Sequence, residues 1–169
     1  MGTGLSVYAR RFLEDEKAVR LEQLGPVLIW EAPVQEIKSQ ELVWGTNSGG
    51  IIGRPRRGEP LVLPVVKTLI KVNAFAMGIT VGRTENNDVT LEDNSVSRFH
   101  AYFQHKPHSS EWKLVDAESK NGSWAQGVRL IHNKGVTLSP KSLLQFGDVE
   151  VLFLMPEAFF DYLREKVKE

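Results

Sequence analysis

Four short blocks between residues 82 and 122 carry groups suited to gripping an anion or a peptide backbone. They are Gly82-Arg83, Ser97-Arg98-Phe99-His100, Asp116, and Ser119-Lys120-Asn121-Gly122. A guanidinium such as that of Arg83 offers a planar fork of donors that matches phosphate bidentately. The Ser97 hydroxyl can donate to a phosphate oxygen, and Lys120 adds a mobile point charge. Asn121 can both donate to and accept from a peptide main chain, as holding an extended ligand requires. Gly82 lets the backbone turn with no Cβ in the way, and Asn121-Gly122 suits a tight turn with positive φ. Each block also has a plainer reading. Gly82-Arg83 alone is a surface arginine after a strand, and Asn121-Gly122 alone is a hairpin turn. His100 reads best as a structural histidine that braces a loop, while Arg98 alternates with Ser97 and points elsewhere.

The same residues make a poor catalytic set. Ser97 and His100 invite a nucleophile–base reading, but the chain has no Gly-x-Ser-x-Gly elbow and no evident oxyanion-hole motif. His105-Lys106-Pro107-His108 invites a metal reading, but Pro107 breaks the geometry and neither cysteine nor a helical histidine pair supports it. No Walker loop, dinucleotide-binding glycine pattern or paired-carboxylate site is present. The expectation is a binding protein with no catalytic residue, metal or cofactor.

The elements that must position these groups are mostly strands. From residue 61 onward, short β-rich runs alternate with turn clusters: Leu61 to Val66, Gly78 to Val81, Val89 to Leu91, Phe99 to Gln104, Trp112 to Val115, Val128 to Leu130, Leu143 to Phe146 and Glu150 to Met155. Such spacing argues for an all-β sandwich over residues 61–155. The spacing of Leu5, Tyr8, Phe12, Val19 and Leu24 predicts one helix over residues 5–24, stopped by Gly25-Pro26. Short strands follow at Val27 to Trp30 and Glu41 to Trp44, then a turn at residues 46–50. Residues 53–60, rich in Gly, Pro and Arg, read as a solvated loop closing an N-terminal extension over residues 1–60. Pro156 opens a last helix over 156–169, with Phe159, Phe160, Leu163 and Val167 as its apolar stripe. Trp30, Trp44, Phe159 and Phe160 are expected to pack against the sandwich.

Taken in order and spacing, the four blocks resemble the phosphothreonine-reading face of forkhead-associated (FHA) domains. The resemblance runs from about Pro60 to Pro156 and is dense between Ile79 and Gly127, including Trp112 and Asp116. Leu143-Leu144-Gln145-Phe146-Gly147 is similar to the family's closing segment. The resemblance implies a mainly β, FHA-like sandwich of two twisted antiparallel or mixed sheets with about eleven strands. Loops at one end would hold the peptide. Arg83 and Ser97 would contact the phosphate, Asn121 the peptide main chain, and Arg98 the backbone or phosphate. Gly82, His100 and Gly122 would shape the loops. Lys120 stands where the family most often has Thr or Ser, and Gln126-Gly127 where Asn-Gly is usual. These departures bear on residue preference after the phosphothreonine.

The bulk composition narrows the partners. The 169 residues include 21 Lys plus Arg and 21 Asp plus Glu, so no global field draws nucleic acid or an anionic membrane. There is no cysteine, which fits a reducing, cytoplasmic setting. No apolar run approaches the roughly 20 residues of a membrane span. Met1 to Ser6 matches a myristoylation pattern, read here as chance. The function expected is phosphothreonine-dependent binding of a Ser/Thr kinase or its substrate in kinase signalling. The alternative is a phospho-independent scaffold using the sandwich and flanking helices as interface. The oligomeric state is not encoded.

Overall fold

The structure is a computed structural model that describes residues 2–31, 58–68, 75 and 77–169. Among these residues, twelve strands form two sheets, and three helices lie on the outer face of one of them. In chain order the elements are β1 (Thr3–Gly4), α1 (Leu5–Glu14), α2 (Glu16–Glu22), β2 (Val27–Trp30), β3 (Leu61–Pro64), β4 (Ile79–Gly82), β5 (Val89–Thr90) and β6 (Ala101–His105). There follow β7 (Trp112–Asp116), β8 (Ser123–Ala125), β9 (Val128–Arg129), β10 (Val136–Leu138), β11 (Lys141–Phe146), β12 (Val149–Leu154) and α3 (Pro156–Lys168). The larger sheet runs β1-β3-β2-β12-β11-β8-β9 and the smaller β10-β7-β6-β4-β5. All pairings are antiparallel except β4 with β5, so the smaller sheet is mixed.

Strand periodicity sorts the core into two layers. Successive side chains leave a strand on opposite faces. Leu28 and Trp30 of β2, Leu63 of β3 and Val149, Val151 and Phe153 of β12 face the smaller sheet, where they meet Phe103, Trp112 and Leu114. Val27 and Ile29, Val62, and Leu154 face the other way, beneath Leu5, Phe12, Val19, Phe159, Phe160 and Leu163 of the helices. β2 is therefore buried on both faces, which explains its unbroken apolar run Val-Leu-Ile-Trp. It pairs with β12 through Ile29↔Leu152 and with β3 through Ile29↔Val62. A strand that sequence reading put in the N-terminal extension thus sits inside the sheet. Phe12 stacks on Phe160 with ring centroids 6.2 Å apart. Arg20 lies 4.5 Å over the Phe160 ring and reaches Glu157 at 3.0 Å, tying α2 to α3.

Several expectations need correction. The single helix over 5–24 is two, because Asp15 leaves helical geometry at φ −153° and caps α2 by accepting from the Ala18 amide at 3.0 Å. Leu24, assigned to the apolar face, lies beyond α2 and is 81% exposed. β1, β8 and β10 were not anticipated; each is two or three residues long, too short for alternation to register. Phe99 belongs to the loop before β6 and is half exposed rather than a strand residue. Trp30, Phe159 and Phe160 are buried, as expected. The strand at 41–44 with Trp44, the turn at 46–50 and residues 53–57 of the basic loop lie outside the described residues.

Candidate functional site

Three loops meet at one end of the sandwich: residues 83–88 after β4, 91–100 between β5 and β6, and 117–122 between β7 and β8. Side-chain bonds stitch them together. The Lys120 amide donates to Ser97 Oγ at 3.1 Å, and Asn121 Nδ2 donates to the Ser95 carbonyl at 2.8 Å. The Arg83 amide donates to the Ser97 carbonyl at 3.0 Å, and Arg83 Nε to the Val96 carbonyl at 3.1 Å. The Arg83 bond uses one guanidinium N–H, and among the described residues its two terminal nitrogens have no acceptor. The Ser97 hydroxyl accepts from Lys120 and keeps its own hydrogen to donate. Asn121 keeps its side-chain carbonyl.

The loop carrying Ser97 is pinned from below by groups read in sequence only as turn formers. Asn87 is buried and its Nδ2 donates to the Thr84 carbonyl at 2.9 Å and the Arg98 carbonyl at 2.6 Å. Gly82 lies against the same carbonyl. A Cβ there would stand 2.2 Å from Arg98 O and 2.6 Å from Asn87 Nδ2, so only glycine admits this approach. Asp88 accepts from the amides of Thr80 at 2.8 Å and Thr68 at 3.0 Å, and from Lys67 Nζ at 2.9 Å. Burial opposes its charge, but these bonds and Lys67 outweigh burial and hold the carboxyl below its ordinary value.

His100 and Asp116 brace the other loop. His100 is fully buried. Its Nδ1 accepts from the Ser97 amide at 3.0 Å, which leaves Nε2 to donate to the Gly122 carbonyl at 2.9 Å in the neutral ring. Burial pushes the His100 pKa below its ordinary value, against the smaller pull of the Gly122 carbonyl and Asp116. Asp116 is also fully buried and accepts from Ser119 Oγ at 2.6 Å, the Ser119 amide at 3.1 Å and Ser123 Oγ at 2.5 Å, with His132 Nε2 at 3.3 Å. Burial alone would raise its pKa, but the Ser119 and Ser123 bonds bring it below the ordinary value.

These directions give a pH expectation. The unfolded histidine titrates near 6.5, so below about pH 6.5 the unfolded chain takes up a proton that folded His100 refuses. Stability should fall from there until the folded ring also protonates. The depressed carboxyls of Asp88 and Asp116 add a second loss as pH falls below about 4, where the unfolded carboxyls protonate first. Urea titrations from neutrality to about pH 5 should show the midpoint falling, with a flatter profile in His100→Gln. A midpoint in the parent protein that does not move over this range would show that His100 charges freely in the fold.

The result is an open cleft of about 500 Å3 lined by Arg83, Asn94, Ser95, Val96, Ser97, Arg98, Phe99, Lys120 and Asn121. It gathers all five residues named from sequence as ligand contacts. Arg98 and Lys120 are exposed at its rim, and their side chains make no bond among the described residues. Gly82, His100 and Gly122 sit behind the wall. Sequence reading missed Asn94 and Ser95 as wall residues and Asn87 and Asp88 as supports. The signal available for the last two was a pair of short polar residues, shortly after Gly82-Arg83, leading directly into the apolar start of a strand at Val89.

No curated protein matches this chain. Among solved structures, the chain is similar to EmbR of Mycobacterium tuberculosis, in complex with a low-affinity phosphopeptide, at 29% identity and a TM-score of 0.42. That match covers 47% of this chain and 20% of EmbR, so the likeness spans about a fifth of that protein. The FHA domain of CT664 from Chlamydia trachomatis is similar at 21% identity and a TM-score of 0.49, covering 77% of this chain and 96% of that one. The kinase-interacting FHA domain of the Arabidopsis kinase-associated protein phosphatase is similar at 18% identity and a TM-score of 0.47, covering 78% and 93%. The family model of the FHA domain matches residues 79–147, from β4 to the glycine that follows β11. This stretch, which carries every residue of the cleft, belongs to the FHA domain family.

Proposed function

We propose that the cleft binds a phosphothreonine side chain in an extended peptide, so that the chain recruits a partner marked by a Ser/Thr kinase. The observation that carries this reading is the convergence on one cleft of Arg83, whose terminal nitrogens have no acceptor among the described residues, the Ser97 hydroxyl and Asn121. A phosphothreonine brings about two negative charges and three acceptor oxygens, and these groups answer both needs. Arg83 and Ser97 take the phosphate, Asn121 takes the peptide main chain, and Arg98 and Lys120 add charge at the rim. The reading is of a binding module without chemistry of its own, and a cysteine-free reader of kinase products suits the cytoplasm. Among the described residues, no helix is long and apolar enough to cross a membrane. The scaffold alternative depends on the flanking helices, but α1, α2 and α3 bury their apolar faces on the sheet.

The test is binding of the purified chain to a degenerate phosphothreonine peptide pool beside its unphosphorylated counterpart. Binding should require the phosphate. Replacing phosphothreonine by phosphoserine should weaken it by about 1–3 kcal/mol, the worth of one methyl in an apolar recess. Equal retention of phosphorylated and unphosphorylated pools would exclude this function, and equal binding of the two phosphoamino acids would exclude the methyl recess.

A further inference from the structure

Arg129 is a cation that the phosphate grip does not use. It lies on β9 opposite Trp124 of β8, and its Cζ is 5.3 Å from the centroid of the Trp124 ring. On its other side it crosses Gly122. A Cβ built on Gly122, whose φ is +90°, would stand 2.9 Å from Arg129 Nε and 3.0 Å from Nη2. The guanidinium is therefore seated between an aromatic face and a residue with no side chain. Gly122 directly follows Lys120 and Asn121, which line the cleft, so this cation stands just past the cleft wall. Among the described residues it makes no hydrogen bond and pairs with no carboxylate.

We propose that Arg129, together with Lys120, forms a second anion subsite for an acidic side chain on the same peptide that presents the phosphothreonine. This rests on the phosphothreonine reading of the cleft. Contact with Trp124 orients the planar donor fork, and the absence of a Cβ at Gly122 leaves room for it, so part of the rotamer freedom is given up before any ligand arrives. The fork suits either a carboxylate or a second phosphate. Lys120, where a hydroxyl residue would offer one directed hydrogen bond, instead adds a positive charge to the loop that leads into Gly122, against which Arg129 lies. The site therefore selects peptides with a carboxylate or phosphate near the phosphothreonine.

The experiment uses degenerate phosphothreonine pools in which one flanking position at a time is fixed as Asp, Asn or phosphoserine. Binding is read as the Asp-to-Asn and phosphoserine-to-Asn ratios for the parent chain, Arg129→Gln and Arg129→Lys. At one or two neighbouring positions the parent should show an Asp-to-Asn ratio of about two to five, larger for phosphoserine. The ratio should fall to about one in Arg129→Gln and survive in part in Arg129→Lys. A preference for Asp over phosphoserine would assign the subsite to carboxylates, the reverse to a second phosphate. If the Asn pools bind with phosphate dependence but no acidic placement helps, or the gain persists in Arg129→Gln, the subsite is wrong and the phosphothreonine reading stands. If no phosphothreonine pool binds above its unphosphorylated form, both fall.

Discussion

Replacing Arg83 with alanine should weaken phosphothreonine peptide binding by about 2–5 kcal/mol, roughly thirtyfold to several thousandfold in Kd. The size follows from the geometry. Arg83 is half-buried, and its Nε is fixed on the Val96 carbonyl at 3.1 Å, so the guanidinium is aimed before the ligand arrives. Its partner carries about two charges, and the bonds formed are charge-assisted. Lys120 is exposed, with its side chain unanchored among the described residues, so Lys120→Ala should cost clearly less. Arg83→Ala also loses the bond to Val96, but the Arg83 amide still donates to Ser97 O at 3.0 Å, so the loop keeps its backbone tie. Titration calorimetry with a selected phosphopeptide, beside thermal melting, separates the two effects. Binding should collapse while Tm moves little. An Arg83→Ala chain that melts normally and binds within a factor of two of the parent would remove Arg83 from the grip.

How much of this was readable in the sequence depends on how local each feature is. The long alternating runs that became β6, β7, β11 and β12 were legible because each spans five or six residues. β1, β8, β9 and β10 have two or three residues each and exist mainly through their partners. The sequence reading found β9, like the equally short β5, inside a longer β-rich run and missed the other three. The break at Asp15 was hidden because apolar residues keep helical spacing across it, with Phe12 and Val19 both packed under the sheet. Nor could a local reading foresee that Val27 to Trp30 becomes an interior strand. Its partners, Leu61 to Pro64 and Val149 to Leu154, lie far away along the chain.

At the site, five residues that line the cleft were legible and the residues that hold them were not. Arg83, Ser97, Arg98, Lys120 and Asn121 stand out by type, and the structure brings all five to one cleft. Asn87 and Asp88 look like an ordinary turn, and their buried bonds to the Arg98 carbonyl and to the Thr68 and Thr80 amides depend on tertiary contact. Arg129 gave no signal at all. Its placement arises from cross-strand pairing with Trp124 and from the absence of a side chain at Gly122.

The largest stability effect should come from Asp116→Ala. The carboxylate has no solvent exposure and accepts from two hydroxyls and one amide, all within 3.1 Å. Its removal leaves buried donors on Ser119 and Ser123 unpaired, at about 3–5 kcal/mol in total. For a domain of this size that is a drop in Tm of about 10 °C or more. Ser123→Ala removes one donor and leaves the carboxylate two others from Ser119, so it should cost only about 1 kcal/mol. The consequences reach the cleft, because Ser119 Oγ also accepts from the Gly122 amide at 2.9 Å. The turn it closes presents Lys120 and Asn121. Asp116→Ala should therefore weaken phosphopeptide binding even at temperatures where the chain stays folded, whereas Arg83→Ala weakens binding alone. Melting curves of the three variants decide the matter. An Asp116→Ala chain that melts within about 2 °C of the parent would mean that water reaches the Ser119 and Ser123 hydroxyls. The turn would then be held by its backbone and by His100, whose Nε2 donates to the Gly122 carbonyl at 2.9 Å.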